Sequence, residues 1–165
     1  MRPTLTTSSR ATTLAVEPGA AWEAVVANGP HAWHVDAPPL VFRGALDRLV
    51  GGEGRRRPDP DSGPLRVGDR PGLWVVEEVG VAGDRGHLLL RATVRAPGVV
   101  TLRVVVEPRG AGTTLTTSVR LVPRGGFGWA YLSADLPARE TVVTWVHRRL
   151  VDDVLRAAAT ASTSE

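Results

Sequence analysis

His147, Tyr131 and the adjacent pair Glu77 and Glu78 are the side chains of this chain best suited to move a proton. An imidazole changes charge near neutral pH, a phenol can donate a hydrogen bond to a ligand carbonyl, and a carboxylate can take up a proton. Strand alternation lets only one of the two glutamates face inward. Glu78 is spaced to share a face with Trp74 and Val76, so it is the candidate. His147 falls beside an apolar stripe, where a general base would meet a ligand, although a histidine at such a boundary also serves as a packing residue. Ser133, His147 and Asp135 make a nucleophilic triad on paper. No Gly-x-Ser-x-Gly turn surrounds Ser133, and the triad is set aside.

Two other clusters could hold ions. His31, His34 and Asp36 are metal-capable, but they sit in a proline-broken loop and no partner spacing completes a site, so no metal is assigned. Trp33 in that loop is placed across a cavity entrance. Asp47 followed by Gly51-Gly52-Glu53-Gly54 has the composition of a phosphate cradle. Such cradles need glycines after a strand and before a helix, whereas these follow a helix and are read as its termination. Arg43 lies four residues before Asp47. Its plain role is an intrahelical ion pair, and its functional one an anion contact at a cavity mouth.

The elements that must position these groups follow from periodicity. Residues 11–16 alternate as a first strand, Pro18 can open a short helix over 20–27, and 40–50 places Val41, Ala45, Leu46 and Leu49 at helical spacing. Residues 53–71 are rich in Gly, Pro, Arg and Asp and read as a long connection, either mobile or part of a binding rim. Four strands separated by short Gly or Pro turns fit between Leu73 and Val122, as an antiparallel meander. Leu88, Leu90 and Ala92, then Val100, Leu102, Val104 and Val106, then Leu115, Thr117, Val119 and Leu121 make one face apolar. Residues 137–159, opened by Pro137, carry Val143, Val146, Leu150 and Val154 along one stripe and supply a helix to cover that face. The fold class expected is α+β, a curved antiparallel sheet wrapped around a long C-terminal helix. Residues 1–10 are expected to be a flexible arm, 11–159 a single domain, and 160–165 a frayed tail.

Composition narrows the function classes. With 165 residues, 42% hydrophobic and 22% charged, the chain suits one folded domain. All 20 basic residues are arginines, but 17 acids offset them and leave a net charge of +3, with no basic stripe that would suit nucleic acid. Cysteine is absent, which excludes disulfides and thiol chemistry. No apolar leader and no run of about 18 apolar residues is present, so a cytoplasmic protein without membrane insertion is expected.

Arg43-Gly44-Ala45-Leu46-Asp47 through Gly51-Gly52, Leu65-Arg66-Val67-Gly68-Asp69 leading to Trp74-Val75-Val76, Leu88-Leu89-Leu90-Arg91-Ala92, Pro97-Gly98 and Val122-Pro123-Arg124-Gly125 carry a resemblance. Together with the element order, they resemble the START-like helix-grip superfamily of polyketide cyclases and lipid-transfer domains, and within it a bacterial branch of unknown function. Trp129-Ala130-Tyr131 retains that branch's aromatics, while Ser133-Ala134-Asp135 is more polar than its pattern. The resemblance implies an internal cavity for a hydrophobic ligand and no established reaction, and the sequence assigns no cofactor. Trp74, Leu90, Leu102, Val104, Trp129 and Trp145 are its expected lining, with Arg43, Tyr131 and His147 as polar contacts.

The leading expectation is binding of a small apolar or aromatic metabolite. A cyclase, dehydratase or isomerase using His147, Tyr131 and Glu78 is the alternative. Members of the branch often sit behind an NAD(P)-binding domain that is not recognised in this sequence. A partner domain acting with a separate NAD(P)-binding protein is therefore a third reading.

Overall fold

A computed structural model describes residues 6–27, 63–93, 98–123 and 125–163, with the side chains of 139–162 in the last segment. In chain order the elements are β1 (Thr7–Leu14), α1 (Pro18–Val26), β2 (Trp74–Ala82), β3 (Arg85–Ala92), β4 (Gly98–Arg109), β5 (Gly112–Pro123) and α2 (Gly125–Thr163). The strands form one antiparallel sheet in the order β1-β5-β4-β3-β2. The expected helix over 40–50, and with it Arg43 and Asp47, lies outside the described residues, as does the His31, His34 and Asp36 cluster.

Strands β2 to β5 form the expected meander. Gly83 and Gly110, each with φ of +59°, supply the left-handed backbone that the β2–β3 and β4–β5 turns require. Leu88, Leu90, Leu102, Val104, Val106 and Leu115 have no exposed surface, and Val119 and Leu121 almost none. Val143, Val146, Leu150 and Val154 of α2 cover them, so the periodicity identified both the apolar sheet face and its cover. Beside α2 on the same sheet face, α1 packs Ala21 and Val25 into this core. Its Trp22 ring lies so close to Gly86 that a Cβ there would sit 2.3 Å from the indole.

Three boundaries differ from the expectation. Strand β1 opens at Thr7, because its register with β5 runs from Thr7 opposite Arg120 to Leu14 opposite Thr113. Residues 7–10 are thus part of the sheet. Helix α2 opens at Gly125 and runs through Pro137. The stretch 129–136 contains helix formers and no breaker, so the cost at Pro137 is confined to the bond its nitrogen cannot donate. At its other end α2 continues to Thr163, where Thr160 and Ser162 return hydroxyl bonds of 2.9 Å to the carbonyls of Arg156 and Ala158.

Strand β2 is interrupted by a register shift between Val76 and Glu78. Before the shift, the 65–69 segment lies along its outer edge. Val76 donates its N–H to the Asp69 carbonyl and accepts from Gly68 N–H, both at 2.9 Å. The Asp69 carboxylate accepts from Arg66 N–H and closes that turn.

Candidate functional site

Burial along the inner face of β3 and β4 falls off toward one end, while their neighbours Trp74 and Leu121 stay buried. Val104 and Leu102 on β4 and Leu88 and Leu90 on β3 are sealed, whereas the next inner positions, Val100 and Ala92, are only half-buried while still packed on the core. The apolar surface of β3 and β4 therefore continues past the fully covered core to a half-buried margin.

A second feature is polar and joins α2 to the edge strand. The inner side of β1 presents Ser8, Arg10 and Thr12 before Leu14, opposite Val119, Thr117, Leu115 and Thr113 of β5. Arg139 Nε donates to Ser8 Oγ at 3.1 Å, and Arg10 Nη2 donates to Glu140 Oε2 at 2.6 Å. His147 lies between Thr12 Oγ1, 2.8 Å from Nε2, and Thr117 Oγ1, 3.0 Å from Nδ1. In a neutral ring one nitrogen donates and the other accepts, with the two hydroxyls taking the complementary parts. Hydrogen bonding from Ser8 and from Arg10 holds the Glu140 carboxyl below its ordinary value.

Burial, reinforced by the Arg10 charge, pushes the His147 imidazole below its ordinary pKa. The unfolded chain then binds the proton more readily than the folded one. Stability from this site is complete above the unfolded value of about 6.5 and is lost as pH falls through the lower folded value. Urea unfolding at pH 7.5 and at pH 5 is expected to show lower stability in acid, and His147→Gln should flatten that difference. An unchanged slope in the variant would assign the acid sensitivity to other groups.

On the solvent side of this seam, a groove of about 340 Å³ runs between β1 and α2, lined by Arg10, Glu140, Thr141, Thr144, Trp145 and Arg148. Glu140, Thr144 and Arg148 follow one another at four-residue intervals and form one ridge of the helix. The Arg149 guanidinium lies over the Trp145 ring, 4.7 Å from its centroid, in a cation–π contact.

The structure separates the residues expected to act together. Glu78 is exposed on the outer face, because the bulge at Glu77 shifts alternation by one and turns Val79 inward instead. Its neighbour Glu77 pairs with Arg91. His147 is inside the seam on the other side of the sheet, with both nitrogens engaged. Trp74, Leu90, Leu102 and Val104 are in the sealed core, and Trp145 lines the surface groove. Trp129 and Tyr131 belong to the first turns of α2, with side chains outside the described residues, as are those of Ser133 and Asp135. Among the described residues, no three metal-capable side chains converge, and no helix is long and apolar enough to cross a membrane.

Sequence reasoning missed Arg10, Glu140, Thr144 and Arg148. The four-residue spacing of the last three, beside the apolar stripe, was the available signal.

The architecture is similar to that of hypothetical protein jhp0584 from Helicobacter pylori, at a TM-score of 0.52 and 14% identity over 94% of this chain and 89% of that one. Protein Ms6760 from Mycobacterium smegmatis aligns at 0.46 and 13% identity, over 94% and 96% of the two chains. Ara h 8.0201 aligns at 0.44 and 12%, over 88% and 97%. At these identities the likeness is one of fold. The jhp0584 alignment spans both the five-stranded sheet and the long C-terminal helix described above. No curated protein matches the sequence. One family model does, across residues 4–146, and by that match the chain belongs to the family described as protein of unknown function (DUF2867).

Proposed function

We propose that the protein binds a small apolar or aromatic metabolite between the inner sheet face and α2, at the margin marked by Ala92 and Val100. The observation that carries this reading is the break in burial along β3 and β4, complete at Leu90 and Leu102 and partial one position further on, between the buried Trp74 and Leu121. A core built only for stability gains by covering that margin too. Leaving it partly open forgoes roughly 25 cal/mol for each Å² that a cover would bury, and a ligand can supply the cover. The helix-grip fold supports the reading without naming the ligand.

An uncharged hydrophobic fluorophore such as N-phenyl-1-naphthylamine tests it. Saturable binding is expected, displaced by apolar metabolites, and Val100→Phe should weaken it at least tenfold by filling the margin. Val81→Phe, on an exposed position at the far end of β2, should leave it unchanged. No saturation across a broad set of apolar and aromatic compounds would defeat the proposal.

A further inference from the structure

The groove between β1 and α2 lies apart from that apolar margin, and its chemistry is different. Two of its lining residues are guanidinium-bearing, Arg10 and Arg148, and one is a carboxylate, Glu140, so its walls carry one net positive charge. Arg10 is already tied to Glu140 and, through Nη1, to its neighbour Ser9's carbonyl at 2.9 Å. Arg148 is exposed and has no acidic partner among the described residues. One end of the groove therefore holds a neutralised pair and the other an unengaged planar cation. Between them stand the Trp145 indole and the Thr141 and Thr144 side chains.

We infer that this groove is a binding site for a small aromatic monocarboxylate, with its carboxylate on Arg148 and its ring against Trp145. A guanidinium offers a fork of donors that matches a carboxylate in two parallel hydrogen bonds. The indole supplies a flat apolar wall, whose ring already carries the Arg149 cation. Charge decides between kinds of anion. Glu140 at the other end of the groove disfavours a second negative charge, so a monoanion is favoured over a dianionic phosphate ester.

Size sets the upper bound. At about 340 Å³ the groove is at the small end of the range of roughly 300–1,000 Å³ for ligand pockets. Residues 140 and 148 are eight positions apart on α2, a rise of about 12 Å. One ring with a short acid arm fits that length.

Isothermal titration with 4-hydroxycinnamate as the probe tests the assignment. The intact protein is expected to bind it at one site. Its methyl ester should bind at least tenfold more weakly, phenyl phosphate likewise, and Arg148→Gln should weaken the acid at least tenfold. Arg148→Glu should abolish binding. Because Arg148 is exposed, both variants should keep the far-ultraviolet circular dichroism of the parent, and both should bind the apolar fluorophore within twofold of it. Absence of saturation, equal affinity for acid and ester, or indifference to Arg148→Glu would each overturn the inference. The last of these would move the ligand to the interior, while loss of fluorophore binding in the unmodified protein would count against the interior site alone.

Discussion

Leu102→Ala is expected to lower the free energy of unfolding by about 2–5 kcal/mol, the range for truncating a sealed leucine whose surroundings relax only partly. Leu102 has no exposed surface, and it is flanked across the sheet by Leu90 and Val119, themselves sealed or nearly so. Nothing nearby is free to fill the space. Val100→Ala, one inner position away, removes fewer atoms from a half-buried site and should cost about 1 kcal/mol or less. The contrast is informative about function. Trp74, Leu90, Leu102 and Val104 were expected to line a cavity, and sealed side chains of this kind hold the sheet to its helix instead. Denaturant titration of both variants, each alongside fluorophore binding, checks the separation. Leu102→Ala should lose stability out of proportion to affinity, and a loss below 1 kcal/mol would show that its surroundings can collapse.

Gly112→Ala is expected to be comparably damaging for a different reason. A Cβ at residue 112 would sit 2.2 Å from the Leu14 carbonyl oxygen and 3.2 Å from its carbonyl carbon. Both are backbone atoms, so no side chain can swing away. Relief requires the end of β1 to move off β5, where the chain is also tied by Thr113 Oγ1, which donates to the Val16 carbonyl at 2.7 Å. Overpacking costs about 1–3 kcal/mol when neighbours can adjust, and this contact belongs at or above the top of that range. Gly63→Ala is the control, since a Cβ there meets nothing within 4 Å. Thermal or urea unfolding of the two variants should differ by about 3 kcal/mol, and equal stability would mean that the β1 end yields easily. Against a total stability of about 5–15 kcal/mol, such a loss is a substantial fraction.

The parts of the fold that could be read in the sequence are those whose signal is local. Strands β3 to β5 alternate Leu or Val with polar residues along a single stretch, and the α2 stripe repeats within one helix. The inner side of β1 carries no such signal. Ser8, Arg10 and Thr12 look like a polar arm until Glu140 and His147, more than a hundred residues away, are brought against them. The error at Glu78 has a physical origin as well. A bulge is a backbone event, and alternation counted through it assigns every later residue to the wrong face. Its trace was present, because Val79 stands one place beyond where the Trp74 and Val76 pattern would put the next apolar residue. His147 was correctly located beside the stripe, but its two threonine partners come from β1 and β5 and no spacing announced them.

The same irregularity in β2 bears on how molecules of this protein meet one another. A strand with a sheet neighbour on one side only offers its remaining backbone groups to any passing chain, and long straight edges of this kind invite polymerisation. Here the first half of that edge is occupied by the protein's own 65–69 turn, through the two bonds to Val76. At the midpoint the bulge breaks the donor and acceptor rhythm, and it does so where two carboxylates, Glu77 and Glu78, stand exposed. An incoming strand would find about four regular residues, 79–82, before having to desolvate both charges. The distortion that turns a would-be catalytic acid outward thus also hinders growth of the sheet past its β2 edge.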